Sequence, residues 1–185
     1  MCAGPLRLEQ APATGGGFVT VLTGSSVMSS GLDSLDLSLH APVGFALLGA
    51  GVLFATENLA NPGSWNAFAD PCASTGLGLT SMVAPDSTTL YSLCSGNGTA
   101  GSSTKTVVVT RNGKRTVAGS TPLGGAAQAL AATSSGTIVV SAVSGASFLY
   151  RSTDGGACRV PPRNRCLSPV EDRVYGRTKS DSGAL

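Results

Sequence analysis

With 185 residues, the chain is long enough for one domain with a real core, or for part of a larger repeat array. Only 12% of its residues are charged, where about 25% is usual, and 25 glycines and 10 prolines punctuate short runs of valine, leucine and isoleucine, the profile of many short strands joined by tight turns. The formal net charge is +2, and much of the positive charge falls after Ala157, in Arg159, Arg163, Arg165, Arg173, Arg177 and Lys179; the body therefore offers neither a phosphate-tracking surface for nucleic acid nor a polybasic membrane patch.

Taken in order, residues 1–17 are rich in proline, alanine and glycine and are expected to form a flexible lead-in. Met1-Cys2-Ala3-Gly4-Pro5 has neither a basic nor an apolar region of the kind a secretory leader needs, so no signal peptide is expected there. Phe18-Val19-Thr20-Val21-Leu22-Thr23 alternates and is β-branched, which predicts a strand. After a serine-rich loop, Leu35, Leu37 and Leu39 hold a period of two around Asp36 and Ser38, which suits a half-buried strand.

Two apolar runs, Phe45-Ala46-Leu47-Leu48 and Val52-Leu53-Phe54-Ala55-Thr56, straddle Gly49-Ala50-Gly51 and predict a hairpin. The whole apolar stretch is too short for a membrane span of about 20 residues. Asn61-Pro62-Gly63 predicts a type II turn, with Pro62 presetting φ and Gly63 taking the positive φ. A second unit begins at Leu77, turns at Pro85-Asp86-Ser87, and continues through the strand Thr89-Leu90-Tyr91-Ser92-Leu93-Cys94. Past a loop over residues 95–104 comes Lys105-Thr106-Val107-Val108-Val109-Thr110, and Asn112-Gly113 then marks a type I′ hairpin turn. A third unit repeats the order: a strand over 127–132, the turn Ser134-Ser135-Gly136, a strand over 137–142, and Phe148-Leu149-Tyr150-Arg151 running into Ser152-Thr153-Asp154-Gly155-Gly156.

The five cysteines, Cys2, Cys72, Cys94, Cys158 and Cys166, contain no CxxC pair and have a single histidine, His40, for company, so no zinc site is expected. Cys72 and Cys94 lie in the best-patterned part of the chain; the choices are a disulfide closing one unit of an exported protein, or two buried thiols. No cofactor is expected, because no glycine pair is followed by the Lys-Ser/Thr of a phosphate loop.

Thr89 and Thr137 are 48 residues apart, and Thr110 and Ser152 are 42 apart. A repeat of this size with about four short strands per unit is that of a propeller blade, the alternative being a β-sandwich. The turn chemistry carries a resemblance. Ser152-Thr153-Asp154-Gly155-Gly156 resembles the Asp-box of the BNR and sialidase-like propellers, Ser/Thr-x-Asp-x-Gly-x-Thr-Trp. Thr110-Arg111-Asn112-Gly113-Lys114 is similar to a degenerate copy with Asn for Asp, and Thr56-Glu57-Asn58 followed by Trp65 to a remnant of a third.

That resemblance implies an all-β fold, a partial β-propeller of about three four-stranded blades over 18–70, 77–120 and 126–157; from Cys158 the chain departs from the family pattern, strand alternation stops and charge density rises, so 158–185 is expected to be a disordered basic tail. It also implies that Ser152, Asp154, Gly155 and Gly156, with Thr110, Asn112 and Gly113, are structural, since in the family the boxes sit on the face opposite the substrate pocket. An extracellular or cell-envelope location and a glycan or protein ligand follow from the same resemblance, as does a need for missing blades or self-association to cover open sheet edges.

The family's catalytic set is not matched. No Phe/Tyr-Arg-Ile/Leu-Pro segment opens an arginine cluster, and Glu9 and Glu57 are the only glutamates before the tail. The expectation is therefore a non-catalytic, structural or binding module with no catalytic residues and no metal. The alternative is a glycoside hydrolase of exo-alpha-sialidase type whose site is incomplete here, with Asp33, Asp36 and Asp70 as the carboxylates left without a turn role.

Overall fold

A computed structural model describes residues 6–12, 14–24, 35–48, 52–96, 105–118, 126–144, 146–156 and 168–169. The protein is all-β. Strands β1 (Leu6–Gln10) and β2 (Val19–Gly24) form an antiparallel pair. Twelve further strands build three four-stranded antiparallel sheets, each running in chain order. The first sheet is β3 (Leu35–His40), β4 (Val43–Leu48), β5 (Leu53–Thr56) and β6 (Asn66–Ala67). β7 (Gly78–Val83), β8 (Thr89–Ser95), β9 (Lys105–Arg111) and β10 (Lys114–Ala118) form the second. The third is β11 (Ala126–Ala132), β12 (Ile138–Ser144), β13 (Ala146–Ser152) and β14 (Ser168–Pro169).

Each sheet is a meander; the two-residue links between β3 and β4 and between β9 and β10 can join only antiparallel neighbours. Asn112 and Gly113, at φ 48° and 75°, make the two-residue turn that pairs Arg111 with Lys114, the left-handed geometry an Asn-Gly pair supplies.

The second sheet lies between the other two, and its central strands are buried on both faces. From β8 and β9, Tyr91, Leu93, Val107 and Val109 point one way and meet Leu130, Ile138, Val140 and Tyr150 of the third sheet. Leu90, Cys94 and Val108, one residue out of phase, meet Leu47 and Leu53 of the first sheet together with Cys72, Leu79 and Met82. Two-sided burial explains why Val107-Val108-Val109 is a continuous apolar run rather than an alternating one. Each fully buried valine or leucine contributes about 1.5–3 kcal/mol through the hydrophobic effect.

Polar groups register the sheets across these seams. Leu130 N–H of β11 donates to Ser81 Oγ of β7 at 3.3 Å, and Ser81 Oγ donates to Asp36 Oδ2 of β3 at 2.8 Å. One hydroxyl thus links the first strands of all three sheets. Asp36 Oδ2 also accepts from Met82 N at 2.8 Å, and Ser38 Oγ accepts from Ala84 N at 2.7 Å. Cys72 and Cys94 are joined by a disulfide, which fixes the chain between β6 and β7 against the C-terminal end of β8.

The structure departs from the sequence expectations at several points. Leu6–Gln10 is not a loose lead-in but a strand, whose Gln10 side chain donates to Leu59 O and accepts from Trp65 Nε1. The strand expected at 18–23 pairs with it and is not part of the first four-stranded sheet. The fourth strand of the third sheet comes from Ser168–Pro169, inside the segment expected to be a disordered tail; the rest of that segment lies outside the described residues.

Along β3 the polarity is reversed. Leu35, Leu37 and Leu39 are 58%, 48% and 55% exposed while Ser38 is buried, because Asp36 and Ser38 are drawn to the backbone of β7. Nor is Asn61-Pro62-Gly63 a type II turn. Gly63 does not adopt positive φ, and Asn61 Oδ1 instead accepts from Gly63 N to cap a 3-10 turn over Pro62–Ser64. Among the described residues, no helix is long and apolar enough to cross a membrane.

Candidate functional site

The three segments that resemble Asp-boxes occupy one topological position, the connection between the third and fourth strands of a sheet. Their leading hydroxyl residues, Thr56, Thr110 and Ser152, each end or nearly end the third strand and are all buried.

In the third sheet, Ser152 Oγ donates to Asp154 Oδ1 at 2.6 Å and accepts from Asp154 N at 3.4 Å and Gly156 N at 3.1 Å. Gly155 and Gly156 take φ of 65° and 73°. A Cβ on Gly155 would stand 2.6 Å from Arg111 Nη2, so the glycine admits the guanidinium that crosses from the second sheet and donates to the Tyr91 hydroxyl at 3.0 Å. The first sheet reproduces part of this turn, with Asn58 N donating to Thr56 Oγ1 at 3.0 Å. The second does not, because its two-residue hairpin is too tight to bring a backbone N–H to Thr110; that buried Oγ1 has no hydrogen-bond partner among the described residues.

A single backbone bond recurs in all three sheets. From the connection between third and fourth strands, an N–H donates to a carbonyl in the turn between first and second strands: Leu59 to Pro42 at 2.9 Å, Asn112 to Thr88 at 3.1 Å, and Gly155 to Gly136 at 2.7 Å. This clasp closes the same end of every sheet. Sequence reasoning found the donor turns but not the clasp, whose acceptors carry no side-chain signature.

Two of the three carboxylates considered for catalysis, Asp36 and Asp70, serve structure. Asp36 accepts from Leu37 N, Ser81 Oγ and Met82 N, and Asp70 Oδ1 accepts from Cys72 N at 2.8 Å. Asp33 lies outside the described residues, and His40 is exposed at the end of β3. Among the described residues, no group of three His, Cys, Asp or Glu side chains converges as metal ligands would.

Beside the clasped turns, a cleft of about 660 Å³ opens between the first and second sheets. Phe45 and Phe68 line it as an edge-to-face pair with ring centroids 5.6 Å apart, beside Val43 and Leu90. Its rim is polar: Glu57 and Asn58 on the first sheet, Asn112 and Gly113 on the second. Neither Phe45 nor Glu57 was distinguished by its sequence context, since the cleft exists only where two sheets meet.

No protein-family model matches the chain, and no curated protein is significantly similar to it.

Proposed function

We propose that this chain is part of a sialidase-like β-propeller that serves as a structural or binding module without a catalytic site. The observation that carries the proposal is the repeated clasp: three meanders in series, each closed at the same end by the same bond beside an Asp-box-like turn, and stacked face to face. Seam bonds that join residues 45 to 49 positions apart give the stacking the period of a blade. The non-catalytic part rests on Asp36 and Asp70, whose oxygens hold backbone groups. Location outside the cytoplasm draws support from the disulfide.

In this proposal the leucine face of β3 is a blade face awaiting its neighbour, supplied by further blades or by another copy of the chain stacked head to tail. Sedimentation of the full chain over a range of concentrations tests it. Reversible association that is lost in Leu37→Lys is the expected result; a compact monomer at every concentration, unaffected by that substitution, would count against an open propeller. Release of sugar from sialosides, abolished by one carboxylate substitution, would overturn the non-catalytic assignment.

A further inference from the structure

The first strands of the three sheets meet by one rule. Between the first and second sheets, Met82 N and Ala84 N of β7 donate to the Asp36 carboxylate and the Ser38 hydroxyl of β3. Between the second and third, Leu130 N of β11 donates to the Ser81 hydroxyl of β7. Each seam thus joins backbone N–H groups of the later strand to an oxygen-bearing side chain of the earlier one. Strand register makes the positions equivalent: Leu37 follows Asp36 as Met82 follows Ser81, and Leu130 takes the place of Met82 at the next seam.

On β3 the N–H half of this rule is unused. Met82, Ala84 and Leu130 are buried, whereas Leu37 and Leu39, which hold the same places on β3, are exposed. Leu37 N donates across no seam; it turns to Oδ1 of its own neighbour Asp36, at 2.9 Å.

Half of a preceding sheet is nevertheless present. β1 ends at Gln10, whose side chain donates to the carbonyl of Leu59, the clasp donor of the first sheet. β9 ends at Arg111, whose guanidinium lies against Gly155, the clasp donor of the third sheet. β1 and β2 therefore stand to the first sheet as β9 and β10, the third and fourth strands of the second sheet, stand to the third. Among the described residues β1 pairs only with β2, so its other edge is open where a second and a first strand would follow. At both seams first strand lies on first strand, which sets the missing pair over the β3 leucines.

Resting on the stacked-sheet reading proposed above, we infer that this surface binds a β-hairpin presented by a partner polypeptide. Its second strand adds to the open edge of β1, and its first lies across Leu35, Leu37 and Leu39 and offers Leu37 N the oxygen of a serine, threonine or aspartate side chain. A second copy of the chain meets only part of this demand. In head-to-tail stacking, the position equivalent to Asp36 and Ser81 is the exposed Ala129 of β11, which can cover leucine but has no side-chain acceptor. Self-association through this face is accordingly the weaker mode, and the hairpin displaces it.

The test adds a synthetic hairpin to the isotope-labelled full chain and follows amide chemical shifts. The peptide carries the sequence of Leu35–Leu48, which presents Asp36 and Ser38 at an existing seam, with threonine for its leucines 35, 37 and 39 and a disulfide joining its ends. Binding is expected to shift the amides of Leu35, Leu37 and Leu39 and of residues 6–10. Leu37→Lys in the chain, at an exposed position, should abolish the response and leave the remaining spectrum intact. A peptide with alanine for both its aspartate and its serine should bind about tenfold more weakly, the factor for one net hydrogen bond. Sedimentation separates this outcome from the propeller proposal: a hairpin that binds a chain found monomeric supports the inference alone, and a chain that associates through Leu37 yet ignores the hairpin overturns the inference alone. Shifts confined to Met82 and Ala84, where the peptide would have replaced β3 rather than covered it, or undiminished binding of the alanine peptide, would also overturn it.

Discussion

Replacing Ser81 by alanine should weaken both seams at once. The hydroxyl is buried, gives its proton to the Asp36 carboxylate at 2.8 Å, and receives the Leu130 N–H at 3.3 Å. Its loss takes from Asp36 a charge-assisted bond of about 1.5–3 kcal/mol, although Met82 N and Leu37 N remain to solvate the carboxylate. On the other side it strands the N–H of Leu130, a residue 8% exposed, at about 1 kcal/mol because the bond is long. Together these give about 2.5–4 kcal/mol, or roughly 10 °C in Tm for a chain of this size. Urea unfolding should show a lower midpoint at unchanged slope, and a cycle with Asp36→Ala should be non-additive by more than about 0.5 kcal/mol. Ser87→Ala, at an exposed turn, provides the control. If Ser81→Ala costs less than about 0.5 kcal/mol, the hydroxyl does not hold the sheets together.

Three other outcomes follow from local geometry. Gly155→Ala should cost more than Gly76→Ala in thermal melts. Both glycines have φ near 70° and carry the left-handed strain of about 1–2 kcal/mol, but only at Gly155 would the methyl also displace Arg111 from Tyr91. Reducing the Cys72–Cys94 disulfide, whose partners are 22 residues apart, should lower stability by about 3 kcal/mol in the chain-entropy treatment, read as the difference in urea midpoint with and without reductant. The Asp86 carboxyl feels partial burial, which raises its pKa, but the Thr88 and Thr89 hydrogen bonds outweigh this and hold it below 3.8. A carboxyl depressed on folding stabilises above its unfolded pKa and loses that contribution as pH falls through the folded value; Asp86→Asn should therefore flatten the stability profile just below pH 3.8, and an unchanged acid limb would refute the assignment.

Much of the strand order was legible because β-branched runs and turn dipeptides act locally. Asn112-Gly113 specified its own hairpin, and the Ser152 side chain makes its hydrogen bonds within five residues. What escaped the sequence was set by partners far along the chain. Nothing near Asp36 announces that Ser81 and Met82 will bind it, so β3 read as burying its leucines when it buries its polar face. Leu6 to Gln10 alternates, yet its proline- and glycine-rich surroundings masked a strand that exists because β2 pairs with it. The cleft was illegible for the same reason: Phe45 and Thr110 become neighbours of one space only after the first and second sheets stack.

The claim that this chain repeats one clasped unit is tested most directly by amide hydrogen exchange at Leu59, Asn112 and Gly155. If the three clasps are equivalent, all three N–H groups will be protected well beyond the rates of unstructured peptide, despite lying in turns rather than strands. Exchange of any one at the unstructured rate, while the strands of its own sheet remain protected, would contradict the common unit.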